Sequence, residues 1–169
     1  MRAGGWMFAR RARDAMVVSV PVTVFCQADV PDSMITAGVS FDFPAAAVQW
    51  AWDGANGKWM RTQDGAPDVL TDGHQISATN VVIYFVPYIT SGLATGEGVA
   101  PAPIPEGILS GTGNVWVFSS GHVVKGTWHR PDLTTPATYT DSTGQTIALT
   151  PGNTWVELAP VGTVPAITP

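Results

Sequence analysis

Asn80-Val81-Val82-Ile83-Tyr84-Phe85-Val86-Pro87 is the stretch on which the fold turns. Apolar residues run from Val81 to Val86 without polar alternation. A strand with one wet face alternates, and an amphipathic helix repeats at its own longer period; this run does neither. It is short, and its β-branched and aromatic side chains suit a pleated surface. The reading is a strand covered on both faces, at the centre of a sheet. Pro87, which has no N–H to donate, marks its end.

Outward from that strand, β-prone runs alternate with turn signals, the pattern of an antiparallel all-β domain. Upstream, Val39–Phe43 is closed by Pro44 and followed by Val48–Trp52. Asp53-Gly54-Ala55-Asn56-Gly57 reads as a hairpin loop into Lys58–Thr62, since Gly and Asn tolerate the positive φ such loops require. Asp64-Gly65 and Asp72-Gly73 are turns around a short Ala66–Leu70 segment. Downstream, residues 90–107 are rich in Gly, Ala, Pro and Thr and are expected as one long loop, a segment type that is often functional or disordered. Asn114–Phe118, His122–His129, Ala137–Thr140, Gln145–Leu149 and Thr154–Leu158 follow as strands. Between them lie the turns Ser119-Ser120-Gly121, Asp141-Ser142-Thr143-Gly144 and Thr150-Pro151-Gly152-Asn153. The expectation is a single antiparallel β-rich domain over 37–160, a sandwich or open barrel with room for a minor helix. Residues 161–169 are expected to fray.

Composition agrees. The 169 residues suit one domain with a real core, and 45% are apolar. Only 12% are charged, about half the usual share. Charge is uneven: Arg2, Arg10, Arg11 and Arg13 stand against Asp14 alone in residues 1–28. The rest of the chain has Lys58, Arg61, Lys125 and Arg130 as its cations among many carboxylates. Such a body has no electrostatic footprint for nucleic acid. One cysteine, Cys26, leaves no partner for a disulfide within the chain and no Cys-based zinc site. No apolar run is long enough for a spanning helix.

The head of the chain has two readings. Arg10-Arg11-Ala12-Arg13 ahead of the apolar Ala15–Phe25 resembles an export signal over 1–28, with Cys26-Gln27-Ala28 as a candidate cleavage site. Phe25 stands where a lipid-anchor cysteine needs a small neighbour, and Asp14 interrupts the apolar run. The alternative is that Met16–Phe25 is a Val-rich strand.

Five segments carry a family resemblance: Val48-Gln49-Trp50-Ala51-Trp52-Asp53; Lys58-Trp59-Met60-Arg61 with Asp64-Gly65; Ile76-Ser77-Ala78-Thr79-Asn80-Val81-Val82; Gly121-His122-Val123-Val124-Lys125-Gly126-Thr127-Trp128; and Thr150-Pro151-Gly152-Asn153-Thr154-Trp155-Val156. In order and at compatible spacing, they resemble the C-terminal domain of the YerB-like bacterial envelope lipoproteins, whose biochemical function is unknown. Residues 1–36 match poorly. The resemblance implies an exported protein of the cell envelope or exterior, with mainly β or α+β domains and a further domain ahead of this one. A lipid anchor belongs only to that full-length family context. It offers no catalytic residue to carry over.

The residues themselves show little chemistry. His74, His122 and His129 lack a second ligand at a metal-motif spacing and read as turn or strand histidines. Ser119, Ser120 and Ser142 lie in turns, outside any nucleophile elbow. Asp53, Asp64, Asp72 and Asp141 adjoin Gly or Ser in turns, where a short carboxylate caps its own backbone; Asp68 is the exception. No metal motif and no cofactor is expected; the EF-hand pattern is missing, though loop oxygens of this kind leave a calcium site open. The tryptophans read mostly as core, with Trp52 or Trp59 the ones to surface. Arg61 shares a strand face with Trp59 and suits cation–π stacking plus a carboxylate pair. Asn80 is expected to bond a turn backbone. If Arg61, Lys125 and Arg130 converge, they form an anion-reading patch. The candidate ligand-binding set is Trp52, Trp59, Arg61, Asn80, His122, Lys125 and Trp128. The expected role is a non-enzymatic envelope module binding a wall polymer, a glycan or an envelope protein. The alternative is half of a hydrolase or transferase site, with Asp53, Arg61, Asn80 and His122 completed by another domain.

Overall fold

The computed structural model describes residues 17–18, 33–43, 46–95 and 102–169, and no helix occurs among them. Val17 and Val18 are paired as a strand. The rest of the proposed signal, Cys26 included, lies outside the described residues, as does Pro44. In chain order the strands are β1 (Val17–Val18), β2 (Met34–Ile35), β3 (Gly38–Phe43), β4 (Ala46–Asp53), β5 (Lys58–Gln63), β6 (Ala66–Pro67), β7 (Ser77–Ala78), β8 (Asn80–Val86), β9 (Tyr88–Thr95), β10 (Ala102–Gly107), β11 (Gly111–Ser119), β12 (His122–Arg130), β13 (Thr138–Asp141), β14 (Thr154–Pro160) and β15 (Ala166–Thr168). One sheet has the order β1-β14-β8-β11-β12-β13, with β2 also on β12. A second runs β15-β3-β4-β5-β6, with β7 also on β5. The two pack face to face as a mainly antiparallel sandwich.

β8 lies between β14 and β11, and all its residues are buried. Its side chains do alternate, but between two dry faces. Val81, Ile83 and Phe85 join Val39, Val48, Trp50, Trp59 and Phe118 between the sheets. Val82, Tyr84 and Val86 point the other way, into a second core with Val117, Val124, Trp128, Ile147 and Leu149. Each such side chain contributes about 1.5–3 kcal/mol relative to exposure, so a polar residue has no place in the run.

Four expectations need correction. Residues 90–107 are not one loop: β9 and β10 pair as an antiparallel ribbon, with a register shift between Pro103 and Pro105. Both strands of a two-stranded ribbon are edges, where proline and bulges are tolerated, so the Pro-rich composition hid them. Gln145–Leu149 makes only the isolated bridge Thr140↔Thr146. Its alternation is real, with Ile147 and Leu149 buried, but the segment covers the second core without pairing along a ladder. β14 runs parallel to β8, from Thr154↔Asn80 to Pro160↔Val86, within an otherwise antiparallel sheet. Finally, residues 161–169 are not frayed. β15 pairs with β3, and the Thr36 hydroxyl and Ala37 N–H both donate to the Thr168 carbonyl, at 2.7 and 2.9 Å.

The turns follow their residues. Asp64-Gly65 joins Gln63 to its register partner Ala66, and Ser120-Gly121 joins Ser119 to His122. All four turn residues have positive φ, between 50° and 79°, the geometry that matches the twist of a tight hairpin.

Candidate functional site

Aromatic rings form a row across the inner face of the sandwich. Trp52 and Trp59 are cross-strand partners on β4 and β5, with centroids 5.0 Å apart. Trp59 meets Phe118 at 5.5 Å, Phe118 meets Trp116 at 6.4 Å, and Trp116 meets Phe85 at 5.8 Å. Trp59 and Phe118 are fully buried, whereas Trp52 and Trp116 are half-exposed, so the row surfaces at both. At the first place, the Trp52 indole lies against the β11–β12 turn: a Cβ added to Gly121 would sit 2.8 Å from its Nε1. At the second, the exposed Lys125 holds its ammonium 4.1 Å from the Trp116 ring centroid, a cation–π contact.

Polar groups gather around the turns near Trp52. Lys58 donates to the Thr79 hydroxyl at 2.7 Å and to Asn153 Oδ1 at 3.4 Å. The Ser120 and Thr150 hydroxyls are 3.0 Å apart. Beneath them Asn80 is fully buried and fully used. Its Oδ1 accepts from the Ser119 hydroxyl and the Thr150 N–H, at 2.7 and 3.0 Å. Its Nδ2 donates to the Thr150 carbonyl and the Thr154 hydroxyl, at 2.8 and 3.2 Å. Asn80 thus staples the 150–153 turn to the central strand, as expected of it. Asn80→Ala strips those partners in a dry site, and about 3 kcal/mol of stability should go with them. Urea unfolding checks this; a change below about 1 kcal/mol would mean the turn is anchored elsewhere.

Arg61 makes both of the contacts its strand face suggested. Its guanidinium lies 5.3 Å from the Trp155 ring centroid, and it pairs with Asp68 and, at 3.2 Å, with Glu157. These side chains are buried between the sheets. Glu157 also accepts the Trp50 indole N–H at 3.0 Å. Burial pushes the Glu157 carboxyl above its ordinary range, with Arg61 and the indole donors pulling it back in part. The sequence reading overlooked Glu157. Its signal was parity: Trp155, Glu157 and Ala159 share one face of β14, so a carboxylate was being sent between the sheets.

The remaining candidates scatter. Trp59 does not surface, because its strand position points it at Phe118. Trp128 is buried on the opposite face, stacked on Tyr84 at 5.4 Å. His122 is half-buried with Nδ1 3.1 Å from the Ser33 hydroxyl, and His74 and His129 are exposed. Arg61, Lys125 and Arg130 do not converge. Arg61 is interior, Lys125 covers Trp116, and Arg130 donates to the Thr135 and Leu133 carbonyls. Three turn aspartates cap their own backbone as expected, Asp53 accepting from Ala55 N–H, Asp72 from His74 and Asp141 from Thr143, whereas Asp64 accepts from the distant Ala47 N–H of β4. Asp132 does the same for Thr134 and Thr135, and their hydroxyls and N–H groups hold its carboxyl down at about 2. Among the described residues no cluster of three metal-ligating side chains occurs, and no helix is long and apolar enough to cross a membrane.

No curated protein matches the chain. The crystal structure of the YerB protein from Bacillus subtilis matches its fold with a TM-score of 0.60 at 15% identity. That match covers 76% of this chain and 43% of the other, so this chain spans less than half of its structural relative. The family model for the C-terminal domain of DUF3048, described as a protein of unknown function, matches residues 39–156. Those residues run from Val39 in β3 to the start of β14 and include the aromatic row, and the chain therefore belongs to the DUF3048 C-terminal domain family.

Proposed function

We propose that this chain is a non-enzymatic module of the bacterial cell envelope that binds a wall glycan where Trp52 surfaces. The observation that carries the reading is the half-exposed Trp52 indole held against the Gly121 turn. A rigid aromatic face stacks on the apolar side of a sugar ring, and neighbouring hydroxyl, amide and ammonium groups answer its hydroxyls. Ser120, Thr150, Asn153 and Lys58 supply such groups on the adjoining turns. Placement in the envelope rests on the likeness to envelope lipoproteins. The enzyme alternative gains no support from its four residues. Asp53 binds Asn56 and Ala55, Arg61 binds Asp68 and Glu157, Asn80 binds Thr150 and Thr154, and His122 faces Ser33.

Co-sedimentation with purified cell-wall sacculi tests the proposal. The wild-type domain should pellet with the wall, and Trp52→Ala should bind at least about tenfold more weakly, the equivalent of one lost ring stack. Circular dichroism confirms that the variant is folded. Wild-type protein that stays in the supernatant, or a variant that pellets equally well, would end the wall-glycan reading.

A further inference from the structure

Glu157 stands on β14 with its side chain between the sheets, and among the described residues β1 pairs with β14 only at Thr154 and Trp155. From β5, Arg61 reaches its Oε1 through Nε at 3.2 Å. From β4, the Trp50 indole N–H donates to the same oxygen at 3.0 Å. From β8, its register partner is Ile83, which is apolar and fully buried. Asp68, which follows β6, takes the Nη1 side of the same guanidinium, where Gln63 Oε1 also accepts at 3.0 Å. Side chains of Arg61, Asp68 and Glu157 are 9%, 7% and 6% exposed. Two carboxylates thus share one guanidinium out of reach of water. Among the described residues, no second cation forms an ion pair with either one.

One guanidinium neutralises one carboxylate. A second ionised carboxylate in that space is a net buried charge, and such groups take up a proton instead. The guanidinium offers Nη1 to Asp68 and only Nε to Glu157, and burial raises the Glu157 carboxyl, which leaves Glu157 as the odd charge. We propose that Glu157 holds a proton in the folded domain and acts as a pH-sensitive latch between the two sheets. A neutral carboxyl group still accepts both the Arg61 and the Trp50 donors on its carbonyl oxygen. Losing the proton places an unbalanced negative charge between the sheets and loosens them.

The direction of the pH dependence follows. With its folded pKa raised above the ordinary 4.5, Glu157 makes the folded state hold one proton more than the unfolded chain. Its contribution is complete below the unfolded value and is lost as pH rises towards the folded one. Across that window the unfolding constant should rise up to about tenfold per pH unit. Asp53, Asp132 and Asp141 act in the opposite sense, since hydrogen bonds depress their carboxyls and their contributions fade as pH falls. They titrate at or below the ordinary carboxylate range, beneath this window.

Urea unfolding of wild type and Glu157→Gln from about pH 4.5 to about pH 9 tests the latch. Glutamine keeps the accepting oxygen and cannot titrate, so comparing the two cancels every other ionisable group. The ratio of wild-type to variant unfolding constants should climb with pH by up to about tenfold per unit before levelling. A ratio that stays constant overturns the proposal. Infrared spectroscopy gives a second reading: a protonated carboxyl C=O band in the folded wild type just above the ordinary carboxylate range, fading as pH rises and absent from Glu157→Gln. If the variant does not fold, the wild-type band alone decides, and its absence overturns the latch.

Discussion

Gly126→Ala is expected to be among the most damaging single substitutions in this domain, costing about 3 kcal/mol or more. Gly126 sits mid-strand on β12 and pairs with Asp141 of β13. Its φ is not in the left-handed region, so the requirement is not conformational. A Cβ there would overlap the Thr140 carbonyl oxygen and come within 2.9 Å of the Ile147 methyl. Neither can retreat easily, because one is backbone and the other is a buried plug of the second core. Alanine therefore forces β13 off β12 and opens the space over Tyr84 and Trp128. Thermal unfolding should fall by about 10 °C. The exposed neighbour Thr127→Ala serves as control and should shift stability by no more than about 0.5 kcal/mol. A Gly126→Ala domain that melts with wild type would show that β12 and β13 do not lie in this register.

Arg61→Met is expected to cost about 3–5 kcal/mol, for an electrostatic reason instead of a steric one. Methionine fills much of the volume and can still lie on the Trp155 ring. It removes the cation that balances Asp68, so that carboxylate is left beside the protonated Glu157 without a counter-charge in a dry space. The signature is the pH dependence of the loss. Acid relieves the unbalanced charge, so the penalty should be largest at neutral to alkaline pH and shrink as pH falls. Adding Asp68→Asn and Glu157→Gln to Arg61→Met should recover most of the stability, since a pair removed together leaves no stranded charge. Equal loss at every pH, with no recovery in the triple variant, would assign Arg61 a packing role alone. Double-mutant cycles on urea midpoints provide the measurement.

Read residue by residue, the sequence was most informative where local chemistry and tertiary context agree. The 81–86 run is apolar at every position, and the structure buries both its faces. Asp64-Gly65 and Ser120-Gly121 announced tight turns because few residue pairs accept positive φ twice in succession. The same logic found the aspartate caps and the stapling role of Asn80. It failed where composition and pairing part company. The ribbon of β9 and β10 mixes Gly, Ala, Pro and Thr among its apolar residues, which looks like a loop because a two-stranded ribbon has no interior to fill. The 145–149 segment has the period of a strand but meets β13 through a single bridge, not a ladder. Trp52 and Trp59 are alike in sequence terms, and only their partners distinguish the half-exposed ring from the buried one.

By itself, then, the sequence determined the class of fold, the central strand and most of the hairpins. These depend on side-chain period and turn chemistry, both of them local. Tertiary structure alone decided that β14 returns parallel to β8, that the tail seals β3, and that Arg61, Asp68 and Glu157 meet between the sheets. Those are contacts between residues far apart along the chain, and no local pattern encodes which distant strand will supply the neighbour.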